Sequence, residues 1–407
     1  MSKIEKLIKE LCPNGVEYKK VWEVTSWDKK YNAVDKSMQP HIIKYNYLLA
    51  SKLDELVDMN GDVLILETGI SNDKKYTTEK LAGDHLCEGE IIAIPWGGTP
   101  NVKYYYGKFI TGDNRIAVSN DAKVLNTKFL YYLFNNRMNE ISDFYRGSGI
   151  KHPEMRKILM MDIPCPPLEV QEEIVRILDK FGELEAELEA ELEARKSQYE
   201  FWRDKLLKGA KKYKLGDIAK FTYGFTDKAL ENGTARYIRI TDISENGYLS
   251  NSDCKYLNIT EDNNKYILKK EDLVVARTGA SYGKTLLFNS DIPGIYASFL
   301  IKIELNNSII LNRYYWHFTK SLCYWNQANN LVSKAGQPQF NSNAIKKIEI
   351  LVPSLQEQER IVNILDKFDK LVNDISEGLP AEIEARRKQY EYYRNKLLSF
   401  EELVVNG

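Results

Sequence analysis

The chain has 407 residues, 43% of them hydrophobic and 28% charged, with a net charge of −1. That length exceeds one ordinary core, so two or more domains are expected. No apolar run approaches the ~20 residues that span a bilayer, which excludes a membrane role, and residues 1–11 place Ile4, Leu7, Ile8 and Leu11 at the spacing of an amphipathic helix rather than a secretion signal.

Charge is strongly segregated along the chain. Residues 1–165 carry +1, residues 168–207 carry −6, residues 208–352 carry +7 and residues 353–407 carry −3. A basic second domain beside acidic helices suits a protein whose domains hold DNA while its helices hold other proteins. The five cysteines, Cys12, Cys87, Cys165, Cys254 and Cys323, are far apart with no C-x-x-C pair, which reads as reduced thiols of a cytoplasmic protein with no metal site.

In chain order the sequence reads as a first domain over 1–166, a helical spacer over 167–208, a second domain over 209–352 and a second spacer over 353–407. The fold class is α+β: two duplicated mixed domains separated by two long helices. Both domains combine short runs rich in Val, Ile and aromatics with loops of Gly, Asn, Asp and Ser. Residues 90–97 (EIIAIPWG) align with 272–279 (DLVVARTG) at an offset of 182, as a strand running into a glycine loop. Residues 61–69 also resemble the second motif, but their offset of 210 breaks collinearity, so the first pairing is preferred.

The spacers carry the clearest duplication. Residues 166–181 (PPLEVQEEIVRILDKF) and 353–368 (PSLQEQERIVNILDKF) match at most positions at an offset of 187, and residues 193–207 (EARKSQYEFWRDKLL) match 384–398 (EARRKQYEYYRNKLL) at 191. Ile174, Ile177, Leu178, Phe181, Leu184, Leu188 and Leu192 recur at spacings of three and four, which predicts one continuous helix with a buried face. In the second spacer Gly378, Leu379 and Pro380 predict a kink or an interruption. Residues 184–194 (LEAELEAELEA) form a four-residue repeat in which each unit adds ~6 Å of helix, so the repeat number is a candidate length adjustment, beside the plainer reading as a strong helix former.

Unlike residues at the ends of like strands are what readers of different base sequences require. An arginine grips guanine through two acceptors, whereas a tryptophan can only stack or wedge. The DNA-contact candidates are Trp96, Lys103, Tyr104, Arg146, Lys151 and His152 in the first domain, and Arg277, Thr278, Ser281, Tyr282, Lys284, Lys334, Gln337 and Gln339 in the second. Enzymatic motifs fail: residues 279–285 (GASYGKT) lack the spacing of a phosphate-binding loop, residues 165–168 (CPPL) lack the flanks of an amino-methyltransferase tetrad, and no nucleophile is arranged around His41, His85, His152 or His317. A fused enzyme and a helical scaffold that reads no DNA are the alternatives to a DNA reader.

The two spacer blocks, with residues 376–400 (SEGLPAEIEARRKQYEYYRNKLLSF), resemble the conserved regions of Type I restriction-modification specificity subunits over essentially the whole chain. The departures are Val170, where a glutamate is usual, and the LEAE repeat in place of an SEGLP stretch. The resemblance implies a non-catalytic subunit with two target-recognition domains, reading double-stranded DNA with a bipartite target, one half per domain. It implies antiparallel coiled-coil-like spacers that dock two methyltransferase subunits and up to two restriction subunits. S-adenosylmethionine would sit on the methyltransferase, and ATP and Mg on the restriction partner, none on this chain. The expected subunit-interface residues are Gln171, Ile174, Leu178, Phe181, Tyr199, Gln358, Ile361, Leu365, Phe368 and Tyr390. A circular arrangement follows too, with the 1–11 helix near Leu398.

Overall fold

The computed structural model describes residues 3–70, 74–209, 211–333, 336–374 and 376–403. The chain divides into two compact units, Met1–Glu185 with Ala385–Gly407, and Ala186–Glu384. Each unit holds one β domain, the start of the spacer that follows it and a stretch of the other spacer. Among the described residues no helix is long and apolar enough to cross a membrane.

In the first unit a six-stranded sheet runs in the order Thr25–Trp27, Asn114–Ser119, Cys87–Pro95, Lys103–Thr111, Val63–Leu66, Tyr76–Thr77. Its central strand is the predicted 90–97 motif, and Ile91, Ile92, Ala93 and Ile94 are at most 1% exposed, as a strand covered on both faces requires. The second unit repeats the first four positions as Ala219–Tyr223, Leu300–Leu305, Leu273–Ala276, Thr285–Leu287. Ile92 faces Ala117 and Val274 faces Lys302, so the preferred strand equivalence also holds in register. The rejected 61–69 segment pairs in parallel, Leu64 with Phe109, at a position outside the four that the second sheet repeats. The two domains differ beyond this shared core, since the second adds a separate sheet of Tyr256–Leu257, Ala235–Ile238, Gly294–Tyr296 and Ile267–Leu268.

The duplicated sequence blocks have a physical reason. Gln171 and Gln358, both 0% exposed, make the same three hydrogen bonds in their own units. Gln171 Oε1 accepts from Asn126 N (2.8 Å), and its Nε2 lies 2.8 Å from Val124 O and 2.7 Å from Pro166 O. Gln358 Oε1 accepts from Leu311 N (2.9 Å), and its Nε2 lies 2.8 Å from Ile309 O and 2.9 Å from Pro353 O. Two turns further on, the aspartate of each ILDKF block holds the domain helix that packs against it. Asp179 accepts from Lys128 Nζ (2.7 Å) and Tyr132 Oη (2.6 Å); Asp366 takes Arg313 Nη1 (2.8 Å) and His317 Nε2 (2.7 Å). Around these clips Ile174, Leu178, Ile361 and Leu365 are at most 1% exposed.

The first spacer is one helix of 39 residues, Leu168–Leu206. The second is broken, as expected, into Leu355–Asn373 and Leu379–Leu397. A Cβ on Gly378 would stand 2.6 Å from Lys370 O and 2.7 Å from Asp374 O, so only glycine fits the break, and Pro380 begins the next helix where no amide partner is needed. In the first unit the spacers run antiparallel: Phe181 packs on Tyr390 and Tyr393 with centroids 6.0 and 5.7 Å away, and Glu185 pairs with Arg387 at 2.6 Å. In the second, Tyr199 stacks on Phe368 at 6.4 Å. The helix Lys3–Leu11 joins the same core as Leu397 and Leu398 through Ile4, and Val16 exchanges backbone hydrogen bonds with Glu401 and Leu403, so the expected closure near Leu398 is present.

These contacts correct the expected subunit interface. Gln171, Ile174, Leu178, Tyr199, Gln358, Ile361 and Leu365 are buried within the chain, Phe368 and Tyr390 are packed against the same cores, and Phe181 is partly covered by Tyr390 and Tyr393. Their periodicity marks a covered face, and what covers it is this chain. The leucines of the LEAE repeat, Leu184, Leu188 and Leu192, are only partly buried.

Removing a buried amide that holds three backbone groups strands donors and acceptors away from water. Gln358→Ala is expected to cost ~2–4 kcal/mol in urea unfolding, where an exposed neighbour such as Glu359→Ala stays within ~0.5 kcal/mol. A pH dependence follows from His317, whose imidazole burial pushes down to about 4. Nε2–H donates to Asp366, leaving Nδ1, 3.2 Å from Tyr199 Oη, as an acceptor, the pattern of a neutral ring. The unfolded chain's imidazole protonates near pH 6.5 and the folded one only near 4, so the His317 contribution is full above 6.5 and is lost, by ~3 kcal/mol, as pH drops to 4, while Asp369, whose carboxyl burial pushes up to about 7, acts in the opposite sense over the same window. Urea melts at stepped pH check this as a difference: the stability of wild type relative to His317→Gln should fall between pH 6.5 and 4, and a constant difference would remove the His317 contribution.

Candidate nucleic-acid interface

In each domain the central strand runs out of sheet at the glycine loop, and a distant segment folds back against its end. In the first domain Trp96 N donates to Asp113 O at 3.0 Å, while Tyr145 Oη donates to Pro95 O at 2.9 Å. The short hairpin of Tyr145–Arg146 with His152–Pro153 then lies beside the loop, where Gly98 N donates to Lys151 O (3.0 Å). His152 Nδ1 sits 2.6 Å from Trp96 O and carries the proton, with the two rings 5.3 Å apart. A Cβ on Gly97 would meet Ile150 at 2.9 Å and His152 at 3.1 Å, so the glycine permits this closure. Trp96, Arg146, Lys151 and His152, separated by up to 56 residues, thus form one patch, with Arg146 held by Glu154 at 3.0 Å.

Lys103 and Tyr104 do not join it. They are neighbours on a strand and point to opposite faces. Tyr104 turns toward the spacer side, with its hydroxyl on Glu90 (2.9 Å) and its ring 6.0 Å from Tyr131, and burial raises its phenol. Lys103 folds back on the Glu67 carbonyl, half-buried, with its amine pushed down to about 8 by desolvation.

In the second domain the two predicted loops meet. Phe340 N donates to Arg277 O (2.7 Å), Gly279 N to Pro338 O (3.2 Å), and Gln339 Nε2 to Thr278 Oγ1 (2.9 Å). Arg277 is held by Nε on Ser298 O (3.0 Å) and a longer contact from Nη1 to Gln339 Oε1 (3.5 Å), and its guanidinium lies 5.3 Å from the Tyr223 ring and 5.5 Å from Phe299. Arg277, Gln337 and Gln339 share this patch, with Ser281 on the adjoining turn and Tyr282 held by Asn329 (2.8 Å). Two candidates change role. Thr278 is 3% exposed and its hydroxyl is used in binding Gln339, so it positions the loop. Lys284 turns away to Glu245 (2.5 Å) and lines a separate cavity with Tyr199, Arg203 and Lys320. Lys334 lies outside the described residues.

Sequence reading missed Tyr223, Ser298 and Phe299, which flank Arg277, and Arg115, which lies under Trp96. Arg115 lies on the strand next to the central one, Tyr223 ends the strand one position further out, and Ser298 and Phe299 form the turn before Leu300–Leu305, and none of these adjacencies is visible without the pairing.

The fold and the patches define a duplicated recognition chain: one β scaffold used twice, with helical blocks that clip each copy in the same way and loops that differ. The pattern of the Type I restriction modification DNA specificity domain matches residues 43–194 and again 208–385, and the chain belongs to that family. It is 35% identical over 338 residues to a protein named as a type I restriction enzyme specificity subunit in Haemophilus influenzae, a match covering 77% of this chain and 83% of that one. To the EcoR124I/EcoR124II specificity subunit of Escherichia coli it is 37% identical over 303 residues, 67% of this chain and 70% of the other. The crystal structure of the S subunit of a type I restriction-modification system from M. genitalium superposes with a TM-score of 0.62 at 16% identity, covering 94% of this chain and 96% of that one, a likeness of fold.

Proposed function

We propose that the chain is the sequence-reading subunit of a type I restriction-modification complex, each domain reading one half of a bipartite DNA target. The observation that carries this reading is the contrast at equivalent strand ends. The scaffold and its clips repeat, while one loop presents Trp96, Arg146, Lys151 and His152 and the other presents Arg277, Gln337 and Gln339. Structure alone would preserve both loops alike; reading two different half-sites requires them to differ. The helical spacers set the half-site separation, and the LEAE repeat is a natural place for its length to vary. Chemistry comes from partners: methyltransferase subunits that bind S-adenosylmethionine and modify adenine N6, and restriction subunits that use ATP and Mg.

The buried spacer residues being taken, the methyltransferase surface has to be the exposed remainder of the same blocks. Phe201 is 60% exposed and its repeat equivalent Tyr392 is 61% exposed, each edge-on to an aromatic neighbour, Trp202 and Tyr393. Exposed aromatics kept at the same place in both blocks fit two copies of one partner, one on each.

Sequencing of methylated adenines in cells with and without the gene tests the function: two short half-sites at fixed separation are expected to vanish with the gene, and an unchanged map defeats the reading. Within that map Arg277→Ala should relax or weaken one half-site only, by ~1–3 kcal/mol, and equal loss on all DNA would mark a phosphate contact instead. Phe201→Ala and Tyr392→Ala should each leave the complex one methyltransferase short in native mass spectrometry, and the double variant should bind none.

A further inference from the structure

Beside the Trp96 loop, inside the first unit, lies a cavity of about 560 Å³ lined by Lys29, Lys30, Trp96, Arg115, Met155 and Arg156 among others. None of its cations was marked by the sequence reading. Its wall is built rather than incidental. Gln39, 4% exposed, clamps the loop that carries the lysines, its Oε1 accepting from Tyr31 N (2.9 Å) and its Nε2 donating to Lys29 O (2.9 Å). Tyr31 packs edge-on to Trp27 and donates to Asp28 at 3.1 Å.

At the base of the cavity Arg115 is 1% exposed, with Nη2 on Asp113 (2.8 Å) and Nη1 on Asn114 O (2.9 Å) and near Asp28 (3.4 Å). Its guanidinium lies 4.3 Å from the centre of the Trp96 ring, and its Nε is buried without a hydrogen-bond partner. Lys29 Nζ stands 5.4 Å from the Tyr47 ring and 5.9 Å from Trp96. The carboxylate in the lining, Glu154, is bound by Lys157 (2.8 Å) and Arg146 (3.0 Å), which hold it below the usual carboxylate range. The result is an aromatic plate fixed on a buried cation and rimmed by Lys29, Lys30 and Arg156.

We infer that this cavity is where the first domain seats its half-site of duplex DNA, Trp96 lying against the bases while Lys29, Lys30 and Arg156 take the phosphates on either side. An aromatic face gives apolar contact and wedging, and cations around it neutralise the backbone. Arg115 is a positioning residue: the cation–π contact and the flanking Asp28 and Asp113 set the tilt of the Trp96 ring. The two domains therefore use arginine differently, Arg277 leaving the central strand toward DNA and Arg115 rising from the next strand to support a tryptophan. This rests on the specificity reading above.

The test uses the full chain with its methyltransferase partners and fluorescent duplexes carrying both half-sites of the mapped target, or one half-site scrambled. Lys29→Ala/Arg156→Ala, a surface change, should weaken binding to every duplex about tenfold and lower the slope of log affinity against log salt by ~2. Trp96→Ala should lose about tenfold discrimination at the first half-site with the second unchanged. Arg115→Lys keeps a buried charge but not the planar contact. It should relax the first half-site in the same way and shift the fluorescence component that Trp96→Phe removes. Wild-type salt slope in the double variant together with wild-type discrimination in Trp96→Ala overturns this proposal while Arg277→Ala still acts. A wild-type complex that binds all duplexes alike overturns the specificity reading itself.

Discussion

A buried glutamine and a partly buried aspartate, both repeated at an offset of 187, organise each half of this molecule. A glutamine reaches back from the spacer helix to satisfy the loop before a domain helix, and an aspartate two turns later grips that helix through a cation and a second donor. Both interactions are polar, and the glutamine is wholly removed from water, so it tolerates little variation: an unpaired partner would carry its full desolvation cost. That intolerance explains why these blocks match each other when the domains they serve have diverged. The aspartate clip accepts tyrosine in one copy and histidine in the other because both donate from the same place, and the histidine brings a pH dependence between about 6.5 and 4.

Division of labour follows from that rigidity. Because the clips fix each domain helix on its spacer, the strand ends opposite are free to change without disturbing the core. The first domain answers with an indole lying on a buried guanidinium, the second with a guanidinium between two aromatic rings. Those are inverse solutions to holding a flat group still, and they suit different bases. The spacers meanwhile bury one face in the chain and leave Phe201 and Tyr392 outside.

Much of this was legible as pattern. The continuous helix, the break at Gly378 and the strand equivalence of 90–97 with 272–279 all rest on local rules: period, a missing amide, a run of β-branched residues ending in glycine. The interface residues were misread for a definite reason. A hydrophobic stripe says that a face is covered and is silent on whether the cover is the same chain or another. Lys103, Tyr104 and Lys284 stand apart from the two patches because a residue's place near a loop does not give the side of the sheet to which it points.

The amino-acid order alone determined that the chain is duplicated, where its helices run and break, and which strand ends carry unlike chemistry, since each of these depends on neighbours within a few residues or on direct repetition. Only the tertiary structure decided that His152 meets Trp96, that Gln339 meets Arg277, and that Arg115 lies beneath the indole. Those meetings depend on strand pairing and loop closure across 19 to 62 residues, distances over which sequence spacing carries no information about which side chains share a surface.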